Sequence, residues 1–226
     1  MASLPENRIR GAREFYRDQL RLEFPYTRTF AAQTGRVAED IAGTEAFETV
    51  LREGAQGGLE CSRRIAEMAF IYLDTTPAVP GPWWRDLCNY ERSHFMQSAT
   101  TVAGPPRNRP SRGVSAVCMN FAWDVPKLLE RLKSGQAITD ELRRNLSLLF
   151  ARAPDGKVYV VEVGPPVEKV FRATNGLRTV DQIAAAAAMT VDETIRVLEA
   201  LAGVGAIVPG KSPEEITEIL RQQGKA

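Results

Sequence analysis

The chain has 226 residues, with 29 Lys and Arg against 28 Asp and Glu for a formal net charge of +1, and 44% hydrophobic residues. That is enough chain and apolar content for one large domain or two small ones, and the charge balance excludes the global basic field that drives non-specific nucleic-acid binding. No stretch approaches the length of a membrane-spanning apolar run, and the opening MASLPENRIRGAREF lacks the apolar core of a signal peptide, so a soluble cytoplasmic protein is expected.

The first hundred residues carry helical periodicity. Ile9, Ala12, Tyr16 and Leu20 recur at three- and four-residue steps and predict an amphipathic helix over 6–22, ended by Pro25. A second helix is expected across Val37 to Ile41, and a third from a Thr44 cap through EAFETVLRE to Gly54. Leu59, Ile65, Met68, Ala69, Tyr72 and Leu73 mark a helix at 59–74, apolar over much of its circumference as a central bundle helix is. Pro77, Pro80 and Pro82 break the chain, after which Trp84, Leu87, Cys88, Glu91, Phe95 and Met96 give a fifth helix. Cys61, Cys88 and Cys118 stand apart in apolar surroundings and read as buried thiols, not as a disulfide framework. His94 is the only histidine, with no Cys or His at ligand spacing, which argues against a zinc or histidine-rich iron site carried wholly by this chain. It reads as a packing or surface residue.

The segment VAGPPRNRPSRG, with its prolines, glycines and Arg107, Arg109 and Arg112, holds neither a helix nor a central strand by composition, and is taken as the domain boundary. The expected division is a helical domain over 1–103, a linker over 104–113, a winged-helix-like domain over 114–210 and a terminal helix over 211–226. The expected fold class is therefore α+β, with helices first and then a three-stranded antiparallel sheet and three helices. VSAVCMNFAW at 114–123 is a strand-length apolar run, and Asp124 before Val125-Pro126 is an N-cap, not a catalytic acid. A helix through Leu128, Leu129 and Leu132 ends at Gly135. LSLLFARA and KVYVVEV flank Pro154-Asp155-Gly156-Lys157 and predict a hairpin over 145–163. Pro165 and Pro166 open a helix that stops at Asn175-Gly176; Thr179 caps the next, and Thr190 caps a third that stops at Gly203. Ser212, Pro213 and Glu215 form a capping signature for the terminal helix.

Three short helices beside a small sheet raise the reading of a DNA-binding winged-helix regulator. Its third helix, however, carries Asp192, Glu193 and Glu199 against Arg196 alone, a net −2 that repels phosphate. A stand-alone enzyme using carboxylates is a further alternative, for which no paired motif is found.

The order of elements from LSLLFARA to VGAIV resembles the leader-binding domain found across the biosynthesis of ribosomally made, post-translationally modified peptides. NGLRTVDQI at 175–183 and VLEALAGVG at 197–205 are similar to pieces of the peptide chaperone of coenzyme pyrroloquinoline quinone biosynthesis. MNFAWDVPKLLERLKSG at 119–135 and YERSHF at 90–95 resemble the small partner subunits of multinuclear non-haem iron-dependent oxidases, as in the methanobactin and 3-thiaglutamate pathways. The resemblance implies a non-catalytic subunit that binds a precursor's leader and presents its core, with a Cys as the expected target, to an iron enzyme. No cofactor is expected in this chain, the iron residing in a partner oxidase subunit.

It also implies where the leader binds: on the last strand of the sheet and the third helix, hence Val158, Tyr159, Val160, Val161 and Glu162 with Thr194, Arg196, Val197 and Glu199. Alternation puts Tyr159, Val161 and Val163 on one face of the strand and Val158, Val160 and Glu162 on the other, without choosing between them. Val191, Ile195, Leu198 and Leu201 are expected as the buried stripe of the third helix. Partner contacts are expected at Tyr90, Glu91 and Arg92 in the fifth helix, and at Arg107, Arg109 and Arg112, since Arg favours pairing with carboxylates.

Overall fold

In the computed structural model, which describes residues 5–54, 57–100 and 108–210, the chain is α+β: helices come first, then a three-stranded antiparallel sheet with helices after it. The expected terminal helix at 211–226 and Arg107 lie outside the described residues. The chain divides into two compact units, residues 1–102 with 120–146 and residues 103–119 with 147–226. That division differs from the one read off the sequence, where everything from 114 to 210 forms one domain.

In the first unit, helix α1 (Glu6–Glu23) buries Ile9, Ala12, Tyr16 and Leu20, the stripe its periodicity marks. Pro25 ends α1 and at once opens a short helix, α2 (Pro25–Arg28), because a proline at the first helical position gives up no hydrogen bond. Helix α3 (Ala31–Thr34) follows, and the helix expected across Val37 to Ile41 is instead a 3-10 turn, Ala38–Gly43. Thr44 caps α4 (Glu45–Glu53) by accepting from Phe47 N. The central pair is α5 (Leu59–Asp74) and α6 (Trp84–Ala99), tied by Trp84 Nε1 donating to the Leu73 carbonyl at 3.1 Å. Between α1 and α5 the buried Tyr16 hydroxyl lies 3.1 Å from Ser62 Oγ and accepts from Gly57 N at 2.9 Å. Helix α7 (Val125–Lys133) also belongs to this unit and begins at Asp124, which accepts from Lys127 N as a cap.

In the second unit the expected linker is partly built into the fold. Strand β1 (Ser111–Arg112) pairs antiparallel with β5 (Ile207–Val208), and Gly176 N donates to the Pro110 carbonyl at 3.0 Å. Proline composition hid this strand, because two residues between Pro110 and Gly113 are too few to show a period. Gly113 and Gly205 close the seam: a Cβ on Gly113 would stand 2.5 Å from the Gly205 carbonyl oxygen, and Gly205 itself has φ +76. The three-stranded sheet has the order β2 (Val117–Trp123), β3 (Arg143–Arg152), β4 (Val158–Val163).

Helices α8 (Pro165–Ala173), α9 (Val180–Ala187) and α10 (Val191–Gly203) follow, the last two opened by reciprocal capping boxes of Thr179 with Gln182 and Thr190 with Glu193. Their core joins Leu149 and Ala151 of β3 to Val170, Phe171, Ile183 and Leu198. The Arg112 guanidinium lies 5.9 Å from the centroid of the Phe171 ring, tying β1 to that core. Truncation of a buried aromatic leaves a void as well as losing transfer energy, so Phe171→Ala is expected to destabilise the chain by about 3–5 kcal/mol. Thr190→Ala is expected to cost about 1 kcal/mol, the worth of one cap. Urea unfolding followed by circular dichroism measures both.

Candidate functional site

The candidate site starts from a turn. Ala153 N donates to the Lys157 carbonyl at 2.9 Å and Gly156 N to the Ala153 carbonyl at 2.9 Å, with Gly156 at φ +87 and Asp155 accepting from Lys157 N. A left-handed residue is needed at that position, and glycine supplies it. The turn sets the pairing of β3 with β4: Ala151 opposite Tyr159, Leu149 opposite Val161 and Ser147 opposite Val163. Hydrogen-bonded and non-bonded pairs alternate along an antiparallel ladder. Counting in twos from the bonded Ala153–Lys157 pair, Tyr159, Val161 and Val163 turn their main-chain groups toward β3. Val158, Val160 and Glu162 direct theirs away from it. Among the described residues no strand lies beyond β4.

The register sets both faces of β4 against buried residues of β3: Val160 and Glu162 stand opposite Phe150 and Leu148. Tyr159 and Val161 share a face with Ala151 and Leu149, both of which are buried against the helices of the second unit. Tyr159 and Val161 nevertheless remain 36% and 37% exposed. A strand at the edge of a sheet has neighbours on one side only, so an apolar ledge is left beside the outward main-chain groups.

Helix α10 is turned differently from expectation. Leu198 and Leu201 are buried as read, but Val191 and Ile195 are 41% and 40% exposed, and Thr194 is wholly buried. Thr194 is thereby corrected from a rim contact to an interior residue, its hydroxyl donating to the Thr190 carbonyl at 2.8 Å. That internal bond lets a threonine occupy an interior position and hides the true stripe from a count of apolar residues. Val197 is half-buried against the core, while Arg196 and Glu199 are exposed. Ile195, Leu198 and Ala202 line a groove of about 520 Å³ with Val180 of α9 and Ile207 of β5; Glu199 and Asn108 add its polar groups. The exposed charges of α10 are those counted from sequence, predominantly acidic.

The expected partner contacts fare unequally. Arg109 donates to the Leu177 carbonyl and Arg112 lies over Phe171, so both are engaged within their own unit. Arg92 pairs with Glu67 at 2.6 Å and covers the Phe70 ring, and Tyr90 is half-buried. Glu91 is corrected outright: it is 1% exposed and accepts from Tyr26 N at 2.6 Å and Thr27 N at 3.1 Å, holding the first turn of α2. Its neighbours Cys88 and Phe95 on α6 are buried too, which makes position 91 part of the apolar face and not of a charged surface. His94 of the same helix pairs through Nδ1 with Glu23 at the end of α1. Nothing in the sequence signals this contact, because 71 positions separate its partners.

Cys61 and Cys88 are buried and Cys118 is half-buried, all as free thiols. Among the described residues no three His, Cys, Asp or Glu side chains converge as a metal-ligand set, and no helix is long and apolar enough to cross a membrane.

Burial pushes the Glu91 carboxyl up to about 8, against the hydrogen bonds from Thr27 and Tyr26 that favour its ionised form. Between roughly pH 4.5 and 8 the folded chain therefore holds a proton at this site that the unfolded chain releases, and stability falls as pH rises through that window. At Glu23 burial raises the carboxyl, but the bonds from His94 and Ser98 outweigh it and leave a net lowering; this contribution disappears only as pH falls below the ordinary carboxylate range. Urea midpoints at pH 5 and pH 8.5 are expected to decrease with pH in the parent chain. Glu91→Gln starts lower at pH 5, because its amide meets a main-chain donor, and changes less between the two. No known protein family matches this chain, and no curated protein matches it.

Proposed function

We propose that this chain is a non-catalytic binding subunit, which takes the leader of a ribosomally made precursor peptide as an added strand on β4 and holds the core for modification by an iron-dependent oxidase. One observation carries the reading: the outer edge of β4 directs the main-chain groups of Val158, Val160 and Glu162 away from the sheet, beside the half-exposed apolar Tyr159 and Val161. An extended peptide meets such an edge with main-chain hydrogen bonds, and its alternate side chains meet the ledge. The chemistry offered is thus a rail for an extended backbone with apolar residues at every second position.

The iron is assigned to the partner on the resemblance of 119–135 and 90–95 to the small subunits of such oxidases. The acidic character of α10, with Asp192, Glu193 and Glu199 exposed against Arg196, opposes its use as a helix that enters a DNA groove. The resemblance of 119–135 and 90–95 to the small subunits of iron-dependent oxidases supports the identity of the partner, and a cysteine of the core as the residue modified.

The test is co-expression with the products of adjacent genes, followed by titration of the purified chain with the short precursor peptide found there. Val160→Pro is the informative variant. It removes a donor that points away from β3, so the hairpin keeps its internal ladder, as prolines on edge strands do. A loss of leader affinity of about tenfold or more is expected, with the circular dichroism spectrum retained. Unchanged affinity in Val160→Pro, or duplex DNA bound with a steep salt dependence and no protein partner, overturns the reading.

A further inference from the structure

Two turns of the second unit share one geometry. In Asp155-Gly156-Lys157 and in Asn175-Gly176-Leu177 the side-chain oxygen of the first residue accepts from the main-chain N–H two places on, at 3.0 Å in both. The glycine between is left-handed in each, at φ +87 and φ +79. Such a turn folds the side-chain carbonyl forward over the peptide that follows it. Cγ is thereby brought toward the glycine nitrogen, and glycine has no side chain to obstruct a ring closing between them.

The two turns differ in their electrophile. The hydrogen bond from Lys157 N holds the Asp155 carboxyl below its ordinary range, so at neutral pH it is an anion that repels an attacking nitrogen. Asn175 carries a neutral amide, whose carbon accepts a nucleophile and whose nitrogen leaves as ammonia, the chemistry that makes asparagine a thermolabile residue. Asn175 is half-buried and Leu177 is 70% exposed, so water reaches the turn.

The same turn is tied to the segment around β1. Gly176 N donates to the Pro110 carbonyl at 3.0 Å, Asn175 bridges to Ser111, and Arg109 donates to the Leu177 carbonyl. While its N–H is engaged, the Gly176 nitrogen keeps its proton and its planar orientation, and cannot turn its electrons on Cγ. Attack waits for residues 109–111 to open locally.

We infer that Asn175 is a site of spontaneous deamidation, and that the pairing of residues 109–111 with 175–177 sets its rate. Gly176 N loses its proton and bonds to Cγ of Asn175; the Cγ–Nδ2 bond breaks, the departing nitrogen takes up a proton, and ammonia leaves a succinimide behind. Water then opens the ring at either carbonyl, giving aspartate or isoaspartate with no change of oxidation state. Isoaspartate routes the main chain through Cβ and lengthens it by one atom. Gly176 N then no longer meets the Pro110 carbonyl, and the seam of β1 with β5 slackens. Neither β4 nor α10 takes part, so the inference is independent of leader binding.

The test ages the full 226-residue chain in warm, mildly alkaline buffer, folded and in concentrated urea. Peptide mapping by mass spectrometry follows conversion at each asparagine, and methyl transfer by an isoaspartyl methyltransferase reads the isoaspartate. In the folded chain Asn175 is expected to convert ahead of every other asparagine, yet about tenfold or more slower than in urea. That factor is expected to match the hydrogen-exchange protection of the Gly176 amide, since one opening exposes both. Arg109→Ala, which removes the tie to the Leu177 carbonyl, is expected to speed conversion severalfold with the circular dichroism spectrum retained. Should that variant unfold, the match between ageing and exchange in the parent chain decides. Asn175 left intact while other asparagines convert overturns the inference. So does conversion as fast folded as in urea, a slowing unrelated to exchange at Gly176, or an unchanged rate in folded Arg109→Ala.

Discussion

A hairpin has one register, and here the turn at Ala153 to Lys157 sets it. Slipping β4 by one residue against β3 would exchange Tyr159 and Val161 with Val158 and Val160, and with them every outward main-chain group. The left-handed Gly156, the bond from Gly156 N to the Ala153 carbonyl and the grip of Asp155 on Lys157 N make the turn specific. Leu149 and Ala151, fixed in the helical core, hold the same register from the other strand. The candidate site consists of what this register leaves over: three residues with backbone groups facing away from β3 and two half-exposed apolar side chains.

That geometry sets the balance of recognition. A main-chain hydrogen bond exchanged for bonds to water is worth only about 1 kcal/mol net, so the edge alone gives modest and sequence-tolerant affinity. Side chains resting on the ledge of Tyr159 and Val161 have to supply the rest, at about 25 cal/mol for each Å² of apolar surface buried. A platform of this kind suits a peptide that is bound by one part and modified at another. The helices of the same unit are opened by capping boxes, and β1 pairs with β5 beside them.

Much of this was legible in the residues. Long periodic helices such as 59–74, the proline-opened α8, the threonine caps and the hairpin carry strong local signals, and the structure has them where those signals place them. Three kinds of feature were not legible. A two-residue strand such as Ser111–Arg112 has no period, and only its distant partner Ile207–Val208 defines it. The face of α10 depends on Thr194, whose internal hydrogen bond lets a polar residue replace an apolar one in the core. Glu91 and His94 lie on a helix whose spacing shows the stripe but not the carboxylate and main-chain partners, which come from α1 and α2. The candidate site falls between these cases: its strand was readable, and its orientation awaited the register.

The claim on which the rest turns is that a peptide adds to the outer edge of β4, and hydrogen exchange at single amides measures it most directly. With the precursor's leader bound, the amides of Val158, Val160 and Glu162 are expected to gain protection, while those of Tyr159 and Val161, already turned toward β3, change little. Binding that leaves the three outward amides exchanging as before, or that protects only α10, would contradict the account.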